Sequence, residues 1–161
     1  KDLDKKNIDM LEELNVLSKD EINSRYDILL ENYCKVIRVE ALTALKMINT
    51  QIYPASLHYL NDLAQTSINV AKNNVNNTYL QKYVEKLSLL LDTMQQITVK
   101  LEYTVDKAFE YKKELLVSAN IYKDEILPLM NELRKVTDEV ETIVDGAYWP
   151  MPTYVDLLFS I

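Results

Sequence analysis

The chain has 161 residues, a length that suits one domain burying about 70% of the surface exposed by its unfolded form. Its 18 lysines and arginines are outnumbered by 25 acidic residues, and its three arginines cannot form the basic stripe that a nucleic acid requires. The lone Cys34 excludes an internal disulfide, and no apolar run approaches the roughly 18 residues of a membrane span, so neither nucleic acid nor a membrane is an expected partner.

Glycine is absent before Gly146, and only Pro54 and Pro128 interrupt that long segment. This composition favours long helices over hairpin turns, so the predicted fold class is all-α. The first residue is Lys1 and the opening residues begin within a helical pattern, which favours a short helix over 1–17 in a piece of a larger protein. The lone cysteine also suits a reducing cytoplasm, where we expect the protein to reside.

A long helix is predicted over 18–72. Ser18 and Glu21 have the spacing of a capping box, which satisfies two free amides at a helix start. Pro54 lies inside the pattern, removes an amide donor and crowds the carbonyl four residues back, so a kink or a restart is expected there. The predicted apolar stripe follows a period near 3.6 and contains Ile22, Tyr26, Leu29, Tyr33, Val36, Ile37, Ala41, Ala44, Ile48, Ile52, Ala55, Tyr59 and Leu63.

The asparagine-rich stretch 73–78 predicts a chain reversal, because Asn tolerates the conformations that end a helix. Thr78 and Gln81 repeat the capping spacing, so a second long helix is predicted over 78–113. Its apolar positions alternate by four and three residues. They are Leu80, Val84, Leu87, Leu91, Met94, Thr98, Leu101, Val105 and Ala108.

A third long helix is predicted over 118–144, after a break near 112–119 where Ser118 or Asn120 could start it. Pro128 predicts a kink or restart in this helix too. The apolar pattern resumes at Leu115, Ala119, Tyr122, Ile126, Leu129, Leu133, Val136, Val140 and Ile143. The predicted architecture is therefore an antiparallel bundle of three long helices, with a short N-terminal helix and an extended tail over 145–161.

The tail begins at Gly146, which we expect to take the left-handed conformation that ends a helix. Pro150 and Pro152 should keep the residues before them extended. The tail carries too much apolar surface to remain in water, so it must dock. The predicted docking or interface residues are Tyr148, Trp149, Pro150, Pro152, Tyr154, Leu157, Leu158 and Phe159.

Residues with catalytic chemistry do not converge anywhere in the sequence. His58 is the only histidine, and with Asp62 one turn later it lacks a further His or Cys at metal-ligand spacing, so we interpret it as structural or exposed. Phosphate-binding loops need glycines, which are missing before Gly146. Cys34 and the tyrosines on the apolar stripes are interpreted as packing residues. The sequence thus predicts no catalytic, cofactor-binding or metal-binding residue in this chain.

The tail sequence YWPMPTYVDLLF, preceded by PLMNELRKVTDEVETIV, resembles the carboxyl-terminal end of type III glutamine synthetases. That family ends on a pattern close to W-P-x-P-T-Y-x-D-L-L-F. The segment LSKDEINSRYDILLENYCKVIRVEALTALKMINTQIYPA also resembles the family's helical region, with its Arg-Tyr pair, its Glu-Ala pair and its Q-I-x-P-A motif. Val155 departs from the pattern, since a glycine is expected between the tail's Tyr and Asp.

The resemblance implies a non-catalytic helical domain of an ATP-dependent ligase that makes glutamine from glutamate and ammonia. It places ATP and Mg²⁺ in a catalytic region absent from this chain, and it implies a dodecamer whose neighbouring subunits and catalytic region are the partners of this domain. Trp149 is then expected to dock on its own bundle, and Leu157 to Ile161 on the catalytic region or a neighbouring subunit. The expected role is structural, in assembly, stability or shielding.

Two other classes of function remain open at the level of sequence. One is a free-standing helical adaptor that binds a partner helix, which would require an exposed apolar stripe. The other is a bundle that binds a small ligand or a metal, which would require polar groups inside the core. The positions of exposed apolar side chains and of buried polar atoms distinguish these alternatives.

Overall fold

The computed structural model describes residues 5–73, 77–152 and 157–158, and in these residues the regular structure is helical, with no strand. The prediction of an all-α fold is confirmed. The helices are α1 (Lys5–Glu13), α2 (Lys19–Met47), α3 (Tyr53–Lys72), α4 (Thr78–Glu110), α5 (Leu115–Ile121) and α6 (Leu127–Glu141). Two π-helical turns, Ile48–Ile52 and Tyr122–Ile126, join α2 to α3 and α5 to α6.

The connection from α1 to α2 is closed by two local features. Asn15 takes a left-handed conformation, with φ of 51°, shortly after α1 ends at Glu13. The predicted capping box at the start of α2 is confirmed: the Glu21 amide donates to Ser18 Oγ at 3.3 Å, and the Ser18 amide donates to Glu21 Oε2 at 2.8 Å. The hydrogen bond from the Ser18 backbone lowers the pKa of Glu21, with a further contribution from the Ser18 hydroxyl.

Each internal proline follows a π-helical turn. Pro54 and Pro128 lie in the first turns of α3 and α6. Just before them, the Tyr53 and Leu127 amides donate to carbonyls five residues back, those of Ile48 and Tyr122. The wider π turn leaves room for a ring that would otherwise crowd the preceding turn. The kink or restart expected at each proline therefore takes the form of a local change of helix type.

The helix α4 is at the centre of the molecule and packs against α2, α3, α5 and α6. The predicted stripe is confirmed where it is deepest, because Leu87, Met94 and Leu101 are fully buried. The helix starts one residue earlier than the predicted cap, since Asn77 accepts the Leu80 amide at 3.0 Å and Thr78 is already helical. Asn77 rather than Thr78 is the N-cap residue because its backbone is not helical and its short side chain reaches the amide three residues on. Of the stretch predicted to reverse the chain, residues 74–76 lie outside the described residues.

The predicted helix over 118–144 is observed as α5, a π turn and α6. The chain leaves α4 at Tyr111 and re-enters a helix at Leu115, so neither Ser118 nor Asn120 provides the cap. Ser118 is buried instead, and its hydroxyl donates to the Ala108 carbonyl at 3.0 Å, which ties α5 to the end of α4. On α5, the π turn, α6 and just beyond it, the predicted core positions Ala119, Tyr122, Ile126, Leu129, Leu133, Val140 and Ile143 are all buried.

Candidate docking surfaces

The tail begins with a turn organised by Asp145. The Asp145 carbonyl accepts the Tyr148 amide at 2.9 Å and the Trp149 amide at 3.1 Å, and its side chain accepts the Ala147 amide at 2.7 Å. Gly146 has no positive φ, and a Cβ added to it would meet nothing within 4 Å. The prediction of a left-handed glycine was therefore wrong, because an aspartate at the preceding position supplies the acceptors that turn the chain.

The extended tail predicted over 145–161 is likewise corrected at its start, where residues 146–148 form this turn, and at Leu157 and Leu158, whose backbone is helical. Pro150 and Pro152, which were expected to keep the preceding residues extended, both follow this turn in the sequence. Both signals for a helix end are present in the sequence, the conformational freedom of Gly146 and the acceptors of Asp145, and the structure uses the second.

After the turn, the structure places the tail against α3. The Tyr148 and Tyr59 rings lie with centroids 5.3 Å apart and planes at 54°, and the Tyr148 hydroxyl donates to the Asp62 carboxylate. That hydrogen bond raises the pKa of Tyr148 above its ordinary value. Trp149 and Met151 are half-buried against the core. The indole Nε1 of Trp149 is buried and has no hydrogen-bond partner.

The other residues predicted to dock differ in their surroundings. Pro150 and Pro152 are exposed, and so are Leu157 and Leu158, at 64% and 72%. The remaining predicted docking residues, Tyr154 and Phe159, lie outside the described residues, as does Val155. The described part of the tail therefore divides into Tyr148, Trp149 and Met151, which contact the bundle, and a pair of leucines that remains in solvent.

A second apolar surface lies on α2, on the side opposite the core. We call it the outer face of α2; its members are between 42% and 68% exposed and are Ile28, Leu29, Val36, Val39 and Leu42. The core side of the same helix carries Cys34, Ile37, Ala41 and Leu45. The predicted core positions Leu29, Tyr33 and Val36 are thus exposed. The error has a physical cause, since α2 carries two apolar stripes and periodicity alone does not say which one is buried.

The buried hydroxyl groups of the described core are satisfied by backbone carbonyls of the helices. Hydroxyls of Ser56, Thr98 and Thr104 donate to carbonyls four residues back at 2.7 to 2.8 Å, and Ser118 donates to Ala108 as described above. Burial raises the pKa of the Cys34 thiol, which keeps it protonated and unreactive. The interior therefore offers packing and no set of converging polar groups among the residues described.

The pair formed by His58 and Asp62 is not part of a metal site in the described residues. His58 is exposed, and Asp62 accepts hydrogen bonds from Tyr148 and Asn61. Across residues 5–73, 77–152 and 157–158, no group of three or more His, Cys, Asp or Glu side chains is arranged to hold a metal ion. The same residues include no helix with the length and apolar character needed to span a membrane.

Comparison with known proteins connects residues 1–72 to a described domain. These residues match the model of the glutamine synthetase C-terminal domain family. The match covers α1, α2 and α3 together with the Arg-Tyr pair, the Glu-Ala pair and the Q-I-x-P-A motif, and it does not extend to the tail motif. No solved structure matches the chain.

Three curated proteins are similar over most of this chain. The type-3 glutamine synthetase of Dictyostelium discoideum is 30% identical over 96% of the chain, and a glutamine synthetase of Butyrivibrio fibrisolvens is 32% identical over the same share. A glutamine synthetase of Bacteroides fragilis (strain YCH46) is 20% identical over 90% of it. The chain spans 22%, 22% and 21% of these relatives' lengths. Residues 1–72 thus belong to the glutamine synthetase C-terminal domain family, and the similarity to glutamine synthetases, one of them a type-3 enzyme, extends over nearly the whole chain.

Proposed function

We propose that this chain is a non-catalytic docking domain of a glutamine synthetase, and that the outer face of α2 is its main contact with the rest of the enzyme. The observation that carries the proposal is the exposure of five aliphatic side chains on one side of a helix whose other side is already buried in the core. Exposed apolar surface of this extent is typical of an interaction site.

The size of the outer face is adequate for an interface. Ile28 and Leu42 are separated by about 21 Å along the helix axis, at about 1.5 Å per residue. Burying an aliphatic side chain completely is worth about 1.5 to 3 kcal/mol. Because these five are about half exposed, covering them would contribute roughly 4 to 7 kcal/mol before the costs of association. That is enough to hold a domain that is already tethered to its partner.

The occupant proposed for the outer face is the catalytic region of the same polypeptide or of a neighbouring subunit. The curated relatives are about five times as long as this chain, so most of such an enzyme lies elsewhere. In this proposal the ligation of glutamate and ammonia, with ATP and Mg²⁺, occurs in that other part, in an oligomer located in the cytoplasm. Leu157 and Leu158 would add a second contact beyond the tail turn.

The proposed domain is an antiparallel bundle of three rods: α2 with α3, α4, and α5 with α6. The short connection from α3 to α4 and the packing of α4 on both α2 and α3 support the opposite direction of the first two rods. Packing of α6 along α4 supports the third. A rigid rod is a suitable support for an outer face that must keep five side chains in one line.

A free-standing helical adaptor is the second candidate, and the outer face of α2 favours it for the same reason. The two candidates differ in the occupant: an unrelated partner helix for the adaptor, and the catalytic region of the synthetase for the docking domain. A core that binds a ligand through its buried hydroxyls is not supported, since the described ones are bonded to the backbone.

The test uses a glutamine synthetase polypeptide that carries this chain. Val36→Glu with Val39→Glu should weaken subunit association at least tenfold in dilution experiments followed by sedimentation or mass photometry, and glutamine formation should fall with it. Val99→Glu is the matched control, because Val99 is 64% exposed on α4 near the polar Gln96 and Asp92 pair. The melting temperature of the chain alone should be unchanged in all variants. Unchanged assembly in the double variant would refute the proposed docking role.

A further inference from the structure

A cavity of about 300 Å³ opens between α2 and the junction of α4 with α5. Its apolar walls come from Phe109, Leu115 and the ring of Tyr122. Arg38 and Lys112 line it as well. The volume is at the lower end of the range for small-ligand sites, so it suits a molecule about as large as an amino acid.

Two cations of this cavity share one aromatic ring. The Arg38 guanidinium carbon lies 4.0 Å from the Phe109 ring centroid, and Lys112 Nζ lies 4.5 Å from it. The ring attracts each cation, but it neutralises neither of the two positive charges. Two like charges near one ring are stabilised by an anion that binds beside them.

Neither cation has an acidic partner among the described residues, although the chain has an excess of acidic side chains. Arg38 Nε is moreover buried without a hydrogen-bond acceptor. An unpaired buried donor costs about 1 to 3 kcal/mol, and this cost is recovered when an acceptor binds. The orphaned donor and the unpaired cations therefore indicate the same missing group, an anionic oxygen acceptor.

The third cation of the cavity is already neutralised. Lys35 Nζ pairs with Glu31 Oε1 at 2.7 Å, one turn away on α2, and both side chains are more than half exposed. Glu31 also places a negative charge at the rim, which disfavours a dianion such as phosphate. A carboxylate carries one charge, and its two oxygens match the planar fork of a guanidinium.

We propose that this cavity binds a carboxylate group, with Arg38 and Lys112 as the ligands of its oxygens and Phe109, Leu115 and Tyr122 as the walls for its carbon chain. The proposal is independent of the docking function, since it concerns a different flank of α2 from the outer face. The carboxylate could belong to a small free molecule or to an acidic side chain of another polypeptide, and both present the same chemistry.

Titration with pentanoate, a carboxylate that carries a single charge, tests the site on the chain as it is, with two-dimensional NMR and calorimetry at constant ionic strength as the readouts. We expect saturable binding in the millimolar range, with shifts at residues around Phe109. Arg38→Gln should weaken binding at least tenfold, as expected when a charged hydrogen bond is lost, and Lys112→Gln should also weaken it. Lys112 is in an exposed turn, so its variant remains informative if Arg38→Gln unfolds the chain.

Three further titrations provide a control variant and distinguish the possible sources of the carboxylate. Lys35→Gln should keep the affinity, because that lysine is paired with Glu31. Glutamate blocked at both its amino and main-chain carboxyl groups presents only a side-chain carboxylate and has the same single charge as pentanoate. Equal binding by it would assign the site to a partner's acidic side chain, and preference for pentanoate would assign it to a small free carboxylate. Absence of saturable pentanoate binding, unchanged binding in both Arg38→Gln and Lys112→Gln, or tighter binding of inorganic phosphate would each overturn the proposal.

Discussion

Trp149→Ala should destabilise the chain by about 2 kcal/mol. Complete truncation of a buried aromatic side chain costs about 3 to 5 kcal/mol, but Trp149 is only half-buried against the core. Its buried indole N–H has no acceptor, and removing this donor relieves a cost of about 1 to 3 kcal/mol. The expected loss is therefore smaller than that for a completely buried aromatic side chain.

Thermal and urea unfolding of wild type and variant measure this loss. For a domain of this size, about 2 kcal/mol corresponds to a decrease in Tm of roughly 4 to 8 °C. Trp149→Phe is the matched control: it keeps an aromatic ring and removes the unpaired donor, so its stability should stay within about 1 kcal/mol of wild type. The two variants together separate the contribution of the ring from the cost of the indole N–H.

Fluorescence supplies an independent readout, because Trp149 is the only tryptophan in the sequence. Its emission in the folded chain should be shifted to the blue of free tryptophan and should move to the red on unfolding. Emission like that of free tryptophan in the native chain, combined with an unchanged Tm for Trp149→Ala, would refute the inference that this residue packs on the bundle.

Four other predictions concern the helix ends and the missing catalytic chemistry. Gly146→Ala should leave stability within about 0.5 kcal/mol of wild type or raise it, since Gly146 has no positive φ and its Cβ position is open; a loss above about 1 kcal/mol in urea unfolding would restore the left-handed assignment. Ser18→Ala should cost about 1 kcal/mol in the same assay, whereas Ser24→Ala, the same change at an exposed position within α2, is the control and should cause no loss. The folded-state pKa of Glu21 lies below its ordinary value of 4.5, so the stabilising contribution of its carboxylate is present above pH 4.5 and is lost as pH falls through the folded pKa. The Tm difference between wild type and Glu21→Gln should therefore shrink as pH falls. A constant difference down to a pH of about 2 would contradict this. The chain alone should neither bind ATP-Mg nor form glutamine, and saturable nucleotide binding at micromolar concentration in calorimetry would show otherwise.

The parts of the fold that sequence predicts well are those with one apolar stripe per helix. On α4, Leu87, Met94 and Leu101 alternate with polar neighbours, so the buried side is unambiguous. On α2 there are two apolar stripes, and the predicted core positions Leu29 and Val36 belong to the exposed one. The choice depends on which stripe fits against α4 and α5, and that information is in the tertiary structure rather than in the helix.

The candidate sites divide in the same way. Apolar composition of the tail was enough to predict that it docks somewhere, but Asp62 and Tyr59 as contacts of Tyr148 could not be predicted, since they are more than 80 residues away. The cavity at Arg38 was not foreseen for the same reason. Its second cation, Lys112, is in a turn between helices, and only the packing of α2 against that turn brings the two together.

The π-helical turn Ile48–Ile52 also sets the rotation of α3 relative to α2 about the helix axis. One residue in an α-helix corresponds to about 100° of rotation, and a π turn adds the equivalent of one residue to the helical path. Deleting a single residue there would convert the turn to α-helix, but α3 would then rotate by about 100° relative to α2. Tyr59 and Asp62 would move away from the tail while the outer face of α2 kept its position. The length of this turn thus fixes the relative orientation of the outer face of α2 and the tail contact on α3. A change of one residue would alter that orientation without replacing any residue of either surface.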